Sequence, residues 1–351
     1  MNTQTLAYNA LVNHGPGAHR LETRSIAGIT ADEVLLKVCG CGICAADLRM
    51  YYDDWYPPAP VVPGHEFYGT VAAVGDRAAQ TRALATGDYI TAEQVVPCGA
   101  CRFCASGQYW MCERQHIHGF APGIAEGGMA EYVVLGERSL IHKLPISRPD
   151  PMWAVVEPLA CAIHAVDRAN IESCDTVVLA GLGPIGACML QVIKLLRPHR
   201  IIALDTIESR LRTGLKFGAD MALNPLTEDV AARVKELTGG YGCDKYINCS
   251  GNQKSVAQGL EMLRKLGVYV EFSVFSEPST VNWTIVGDRK ELSIFGAHLS
   301  PHTYPRAIEY INSGAVDARS IVTHTFPLEE YEKAFAVGKA KDNCLKIVFV
   351  P

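Results

Sequence analysis

Apolar and polar positions follow two different patterns along the chain, and the change falls near the segment SRPDP at residues 147–151. Beyond that segment, apolar strand-like runs are followed by stretches whose apolar residues recur at helical spacing. The pattern predicts strands starting at Thr176 and Arg200, helix 208–217, strand 221–223, helix 228–237, strand 245–249, helix 255–266, and strands 268–272 and 292–295. Repeated strand–helix units of this length predict a parallel sheet covered by helices on both faces.

The first part of the chain has shorter apolar runs, such as those at 70–74 and 131–135. Turn signals separate them, at Gly75-Asp76, Gly87-Asp88 and Gly127-Gly128. This pattern is typical of an antiparallel, barrel-like domain. With 351 residues the chain is long enough for two domains, each with its own core. The predicted fold class is therefore α/β, with a β-barrel-type domain joined to a doubly wound parallel-sheet domain.

Charge and composition narrow the classes of partner. The net charge is −5, from 32 Lys and Arg against 37 Asp and Glu, so the sequence predicts no basic surface for nucleic acid or an anionic membrane. The first ten residues, MNTQTLAYNA, lack the basic-then-apolar pattern of a secretion signal. Glycine, proline and polar residues interrupt the longest apolar stretch, at 176–196, so we expect a cytoplasmic protein without a membrane span.

The 13 cysteines are an odd number in a chain without an export signal, which argues against a disulfide framework. Four of them lie within the run VPCGACRFCASGQYWMC, at Cys98, Cys101, Cys104 and Cys112. Gaps of two residues let a short loop bring successive sulfurs together, as a tetrahedral zinc site requires. The spacing predicts one structural zinc. A four-cysteine iron–sulfur centre and four buried thiols without metal are the alternatives.

A glycine-rich turn follows the predicted strand that starts at Thr176. The residues of this turn that we predict to bind a dinucleotide are Gly181, Gly183, Pro184, Ile185 and Gly186. Glycine lets the backbone approach a pyrophosphate at the positive end of the following helix. Asp205 lies nineteen residues beyond Gly186, at the end of the next strand, where a carboxylate binds the adenosine ribose and repels a 2′-phosphate. NAD is therefore predicted over NADP, unless Asp205 only caps the following helix. Arg210 could cover the adenine, accept a phosphate or serve packing.

A second metal site is predicted from residues that lie far apart in sequence. The candidate ligands are Cys44, His65, Glu66 and Glu157. One thiolate, one imidazole and one carboxylate would leave a coordination position for water or an alcohol, as in catalytic zinc sites. Singly, each residue has a structural explanation, but their combination with a dinucleotide fold favours a metal. Asp47 is either a partner of the histidine or a turn cap. The aromatic residues that could line a pocket are Tyr51, Tyr52, Trp55 and Phe120.

These motifs, in this order, resemble those of the zinc-dependent medium-chain alcohol and polyol dehydrogenases. The resemblance rests on GICAAD, GHE, C-x₂-C-x₂-C-x₇-C, EGGMAEY, EPLA and GLGPIG, and covers essentially the whole chain. It implies a discontinuous GroES-like catalytic domain, residues 1–155 and 297–351, that carries two zinc sites, one catalytic and one structural. It implies a Rossmann NAD-binding domain at 156–296, and a homodimer or homotetramer. In the branch with sorbitol and butanediol dehydrogenases, Glu157 contacts zinc directly or through water.

The resemblance also implies an activity. The segments EQVVPCGACRFCASGQYWMC, LTGGYG, LRKLGVYVEF and KELSIFGAHLSP are similar to bacterial erythritol/threitol dehydrogenases. We therefore expect oxidation of a secondary hydroxyl of a small acyclic C4–C6 polyol to a ketose, with hydride transfer to NAD. A 2,3-butanediol or simple secondary-alcohol dehydrogenase is the nearest alternative, and a metal- and nucleotide-binding protein without turnover is a third.

Three residues depart from the family pattern. Ala46 lacks the hydroxyl group that relatives usually place two residues after the catalytic cysteine, and Arg49 replaces a common relay histidine. The alcohol proton must then leave through water, Glu66, Glu157 or a neighbour such as Tyr51. Ala46 favours a protein without turnover, whereas the complete set of predicted zinc ligands argues against it. Leu299 replaces an arginine of sorbitol dehydrogenases, which argues against sorbitol specificity.

Overall fold

The computed structural model describes residues 5–53, 60–341 and 343–351. It divides into two compact units. The first unit comprises Met1–Glu157, Tyr304–Ser313 and Ala318–Pro351, and the second comprises Pro158–Thr303 and Gly314–Asp317. Within these described ranges, no helix combines the length and the apolar composition that crossing a membrane requires.

Strands are more frequent than helices in the first unit, whereas strands and helices alternate through most of the second. The strands are β1 (Leu6–Asn13), β2 (His19–Ile26), β3 (Val34–Gly42), β4 (Glu66–Val74), β5 (Tyr89–Ala92), β6 (Val95–Val96), β7 (His116–Ile117), β8 (Tyr132–Leu135), β9 (Ile141–Lys143), β10 (Thr176–Ala180), β11 (Arg200–Leu204), β12 (Met221–Leu223), β13 (Cys243–Asn248), β14 (Leu263–Glu271), β15 (Ser293–Gly296), β16 (Val322–Phe326) and β17 (Lys346–Phe349). The helices are α1 (Ala45–Tyr52), α2 (Asp76–Arg82), α3 (Arg102–Ala105), α4 (Val156–Ala169), α5 (Pro184–Leu195), α6 (Glu208–Phe217), α7 (Val230–Leu237), α8 (Gln253–Met262), α9 (Tyr304–Asn312), α10 (Ala318–Ile321) and α11 (Tyr331–Ala340).

The main sheet of the first unit has the strand order β16-β17-β3-β4-β5-β9, and β8 pairs with β3. Every pair is antiparallel except β16 with β17, as the short alternating runs predict. Leu36, Phe67, Ile90 and Phe349 come from four of these strands and are buried in one apolar cluster. The C-terminal strand β17 therefore completes the core that the first ninety or so residues begin, and it brings Val348 opposite Gly42.

The second unit contains a six-stranded sheet in the order β12-β11-β10-β13-β14-β15. All neighbouring strands are parallel. Numbered within this sheet, the order is 3-2-1-4-5-6, that of doubly wound dinucleotide-binding folds, in which the ligand binds where the order reverses. That position is the carboxyl end of β10, where the glycine-rich turn follows.

The domain boundaries of the structure differ from the predicted 155/156 and 296/297. The first unit extends to Glu157, and residues 297–303 lie with the second unit. Hydrogen bonds explain the second difference: the Ala297 amide donates to the Glu271 carbonyl (3.0 Å), and the Thr303 hydroxyl donates to the Ala160 carbonyl (2.8 Å). The segment thus continues the parallel sheet before the chain returns to the first unit.

The predicted helix 255–266 is wrong at its C-terminal end, because α8 ends at Met262 and β14 begins at Leu263. The ammonium group of Lys290 donates to the carbonyl groups of Leu260, Glu261 and Leu263 at 2.6–2.8 Å. A cation at a helix C-terminus satisfies carbonyls that have no partner within the helix. This distant side chain ends the helix earlier than the local sequence predicts.

Lys290→Met is expected to lower the free energy of unfolding by about 2 kcal/mol, because the last carbonyls of α8 lose a charged donor. Lys265 is exposed, so Lys265→Met serves as the matched control and should change stability by less than about 0.5 kcal/mol. Urea unfolding followed by circular dichroism measures both values. Equal stability of the two variants would contradict the capping role of Lys290.

Acid sensitivity of the first unit is predicted from His118. This side chain is fully buried, its Nδ1 lies 3.0 Å from the Glu126 carbonyl oxygen, and burial lowers its pKa to about 4. The unfolded chain binds a proton at a pKa near 6.5, so the contribution of His118 to stability is constant above that pH and falls between about pH 6.5 and 4, by up to about 3 kcal/mol.

His118→Gln should reduce this slope, whatever it does to stability at pH 7. The part that remains comes from His19 and His164, because burial also lowers the pKa of each of them to about 4. His324 lies in an exposed hydrogen bond with Thr323, so His324→Gln should retain the wild-type slope. Unfolding free energies measured from pH 7.5 to 4 compare the slopes, and a wild-type slope in His118→Gln would show that His118 does not cause the acid sensitivity.

Candidate functional site

The four cysteines of the predicted structural site lie together between β6 and β7. The Sγ atoms of Cys98, Cys101, Cys104 and Cys112 all lie within 4.8 Å of one another. The Cys101 sulfur is 3.6 Å from that of Cys104 and 3.9 Å from that of Cys112. Such convergence of four sulfurs is what a tetrahedral thiolate site requires.

Backbone amides favour the thiolate form of two cysteines of this cluster. The N–H groups of Ala100 and Cys101 donate to the Cys98 sulfur at 3.5 and 3.3 Å, and they lower the pKa of Cys98 to about 6. Backbone hydrogen bonds also lower the pKa of Cys101. Because the thiolate is the metal-binding form of cysteine, the residues present fit a metal ion.

The second predicted cluster is built at the start of α1 and the start of β4. Ligand atoms of Cys44, His65 and Glu66 lie within 4.8 Å of one another. Cys44 is the N-cap of α1, where its sulfur accepts from the Asp47 amide and its own amide donates to Asp47 Oδ2 (2.8 Å). This reciprocal capping box holds the sulfur at the helix terminus. His65 and Glu66 are buried, so little solvent surrounds the three groups.

Electrostatics at this cluster favour a cation. Burial acts to lower the pKa of His65, but the charge and hydrogen bond of Cys44 outweigh it and raise this pKa to about 10. The charges of Asp47 and Glu157 act in the same direction. His65 Nδ1 and Asp47 Oδ1 are buried without a hydrogen-bond partner among the described residues. A sulfur, a nitrogen and an oxygen donor under negative potential fit a divalent ion such as zinc.

Glu157 lies near this cluster but is not grouped with it. It is buried in the first turn of α4, and its charge raises the pKa of His65 and of Lys346. Its carboxylate nevertheless lies more than 4.8 Å from at least one of the other three ligand atoms. The structure therefore brings three of the four predicted residues together, with Glu157 as an anion of their surroundings.

Lys346 is a residue of this site that the sequence analysis missed. Its side chain is 2% exposed, and its ammonium group donates to both carboxylate oxygens of Glu66 (2.7 and 2.5 Å) and to the Ile43 carbonyl (3.0 Å). The signal for it is a single charged residue within the apolar run LKIVFV at 345–350. A lysine in an otherwise apolar strand at a buried position requires an anionic partner.

The second unit places the predicted nucleotide-binding residues at the end of β10. Gly181 has φ +101°, and a Cβ on Gly186 would lie 1.9 Å from the Gly181 carbonyl oxygen, so both positions require glycine. Gly183 is the N-cap of α5 and Pro184 its first residue, while Ile185 is half-buried in the same turn. The amides at this helix terminus can bind a phosphate.

Asp205 connects the glycine-rich turn to the next helix. Its Oδ2 accepts from the Leu182 amide (2.7 Å) and its Oδ1 from the Ile207 amide (2.9 Å), just before α6 begins. Arg210 Nη1 lies 3.8 Å from Asp205 Oδ2. The carboxylate therefore orders the turn, and its charge is near the guanidinium group.

Comparison with known proteins gives the family. The model of the alcohol dehydrogenase GroES-like domain matches residues 30–146, and the zinc-binding dehydrogenase model matches residues 184–313. The erythritol/L-threitol dehydrogenase of Mycolicibacterium smegmatis is 43% identical over 352 residues, which cover 97% of each chain. The chain belongs to the zinc-dependent medium-chain polyol dehydrogenases. The predicted combination of a GroES-like domain and a Rossmann domain is thereby confirmed.

Other dehydrogenases match over nearly their whole length. A sorbitol dehydrogenase of Halalkalibacterium halodurans is 32% identical over 342 residues, covering 96% of this chain and 97% of the relative. A dehydrogenase structure from Sinorhizobium meliloti 1021 bound to NADP has a TM-score of 0.91 at 26% identity, and the match covers 99% of this chain and 100% of that structure's chain. A short chain alcohol dehydrogenase structure from Escherichia coli CFT073 in complex with NADH has a TM-score of 0.90 at 27% identity, and the match covers 98% of this chain and 99% of that structure's chain.

The structure also locates the residues that depart from the dehydrogenase family pattern. Ala46 lies in the first turn of α1 and Arg49 in its last turn. Leu299 lies in the second unit with φ +55°, in the left-handed region. Of the aromatic residues, Tyr51 and Tyr52 pack edge-to-face with each other (4.7 Å) against the first unit's core.

Of the aromatic residues predicted to line a pocket, Phe120 lies beside the cluster of Cys44, His65 and Glu66. Its ring centroid is 5.5 Å from that of His65. Trp55 lies outside the described residues. Phe120 is therefore a candidate wall of the space beside the imidazole, whereas Tyr51 and Tyr52 belong to the packing of the core.

Proposed function

We propose that this protein oxidises a secondary hydroxyl group of a small acyclic polyol to a ketose, with zinc and NAD as cofactors. The observation that carries the proposal is the convergence of Cys44, His65 and Glu66 in a buried, negatively charged cluster. The 43% identity to an erythritol/L-threitol dehydrogenase supports a C4 polyol as the preferred substrate.

We assign the two metal sites to the first unit as its catalytic domain, and the nucleotide site to the second. Cys44, His65 and Glu66 would hold the catalytic zinc, with Glu157 bound directly or through a water molecule, and the four-cysteine cluster would hold the structural zinc. When bound, a catalytic zinc supplies acidity to a hydroxyl group beside it, since it lowers the pKa of ligated water from far above neutral pH to about 7. With all four positions filled by cysteine, the other site can only stabilise its loop.

The protein groups determine where the alcohol proton goes. Ala46 carries no hydroxyl group, and both oxygens of Glu66 accept hydrogen bonds from Lys346. The ring of Tyr51 is half-buried and packs against His19 (4.9 Å) and Phe335 (4.7 Å) beside the core of the first unit. We therefore assign Glu157, a buried carboxylate near the cluster, as the first acceptor of the alcohol proton.

The nucleotide residues position the hydride acceptor. The amides of the turn from Gly181 to Gly186 would bind the pyrophosphate at the N-terminus of α5, and Asp205 would bind the adenosine ribose. Solved relatives contain NADP in one case and NADH in another. We choose NAD because the Asp205 carboxylate would repel a 2′-phosphate.

The test is a substrate screen that follows NADH formation at 340 nm. Erythritol, threitol, xylitol, galactitol and 2,3-butanediol are each offered with NAD and with NADP, on protein whose zinc content has been measured. We expect the highest kcat/KM with a four-carbon polyol and NAD. Highest activity on 2,3-butanediol would replace the polyol proposal, and zinc-loaded protein inactive on every alcohol would replace the enzyme proposal. Light scattering on the same sample tests the proposed homo-oligomer.

A further inference from the structure

We propose that Lys346 competes with the catalytic metal for the Glu66 carboxylate and thereby weakens metal binding at the Cys44, His65 and Glu66 cluster. The inference rests on the proposed function, which assigns a zinc ion to this cluster. Lys346 would then be a positioning residue that keeps Glu66 an exchangeable ligand.

The hydrogen bonds of the Lys346 ammonium group are complete without a metal. Its three N–H donors meet three acceptors, the two oxygens of Glu66 and the Ile43 carbonyl, at 2.5–3.0 Å. Both side chains are 2% exposed. Because solvent does not screen a pair at this depth, the attraction between ammonium and carboxylate is strong.

The backbone prevents the ammonium group from moving away easily. Lys346 begins β17, and the next residue, Ile347, accepts a hydrogen bond from the Ile43 amide (2.9 Å). Ile43 immediately precedes Cys44, so the strand that presents the lysine is bonded to the segment that presents the sulfur ligand. A Cβ on Gly42 would lie 2.1 Å from Glu66 Oε2, so backbone also packs closely against the carboxylate. The carboxylate has little freedom to turn from lysine to metal.

Charge then determines the effect on the metal. With Lys346 paired to Glu66, the thiolate of Cys44 is the one uncompensated anion among the three grouped ligands. Two cations that share one buried carboxylate each weaken the binding of the other. The lysine therefore lowers metal affinity. The ligands then offset less of the positive charge of the metal ion.

The decisive experiment measures zinc affinity at this cluster in Lys346→Met, by competition with a chromophoric chelator, while the four-cysteine site stays filled. We expect zinc to bind at least about tenfold more tightly than in wild type. Lys346→Arg retains the positive charge and should remain within about threefold of wild type. In a Glu66→Gln background, Lys346→Met should increase zinc affinity much less, because the carboxylate for which the lysine and the metal compete is absent.

A second buried lysine provides the matched control. Lys245 is buried in the second unit, with Nζ 3.6 Å from Asp175 Oδ2. Lys245→Met should leave zinc affinity unchanged, which separates the loss of this particular cation from the loss of any buried lysine. If Lys346→Met does not fold, Lys346→Gln removes the charge while keeping a polar group, and it carries the same expectation.

Visible absorption of the Co²⁺-substituted protein adds a readout independent of turnover. The d–d bands of the catalytic site should change in Lys346→Met, because Glu66 binds the metal more closely, and should stay as in wild type in Lys346→Arg. Zinc affinity equal to or weaker than wild type in the neutral variants would overturn the inference, even if the wild type oxidises polyols with two zinc ions. Wild-type protein that binds no metal at Cys44, His65 and Glu66 would instead overturn the proposed function.

Discussion

The Cys44→Ser variant is expected to contain about one zinc ion per chain instead of about two, and to oxidise polyols at least about a thousandfold more slowly than wild type. Serine at this position offers a neutral hydroxyl group where the site needs a thiolate, so the metal loses its sulfur ligand. The fold should survive, because serine is a preferred N-cap residue and can replace the sulfur as acceptor of the Asp47 amide at the start of α1. Metal analysis, kinetics and a thermal melt on the same preparation measure the three effects.

Cys101→Ser is the comparison that separates the two metal sites. Cys101 is buried and its sulfur lies within 4 Å of two others, so this variant should lose the structural ion and a large part of its thermal stability. Metal remaining at the Cys44 cluster should still support oxidation at temperatures where the protein is folded. Equal loss of metal and of stability in both variants would contradict two separate sites with different roles.

The sequence predicts the second unit best because its signals are local. Helix α6 has the predicted bounds, Glu208–Phe217, since Gly218 follows it with φ +109°, a conformation that ends helices and suits glycine. The wrong end of α8 has a non-local cause. Lys290 lies nearly thirty residues beyond the last carbonyls that it binds, and local propensity contains no information about it.

The same distinction applies to the site. The proximity of Cys44 and His65 could be predicted because metal ligation limits which residue types take part and because the surrounding motifs are specific. Lys346 contacts Glu66 across a sequence separation of 280 residues, and only the pairing of β17 with β3 brings it there. A buried strand with one lysine predicts an anionic partner, but it does not say which carboxylate.

Asp205→Ala is expected to reduce the preference for NAD over NADP by at least about tenfold, through weaker binding of NAD and tighter binding of NADP. NAD would lose a carboxylate that binds the ribose hydroxyl groups. NADP would gain because the repelling charge is gone while the Arg210 guanidinium group, now 3.8 Å from Asp205 Oδ2, becomes available to a 2′-phosphate. Values of kcat/KM for both cofactors on one polyol measure the change.

Asp205→Asn separates charge from structure in this prediction. Asparagine retains one oxygen acceptor for the amide of Leu182 or Ile207, so the turn should stay better ordered than in Asp205→Ala, while the negative charge is absent in both. If charge decides the preference, both variants accept NADP better, whatever their melting temperatures. If ordering of the turn is the whole role, kcat/KM falls in parallel for NAD and NADP, most in Asp205→Ala, and the preference for NAD persists. A persistent preference for NAD would show that Asp205 only shapes the turn. Other residues of the second unit would then determine which cofactor is preferred.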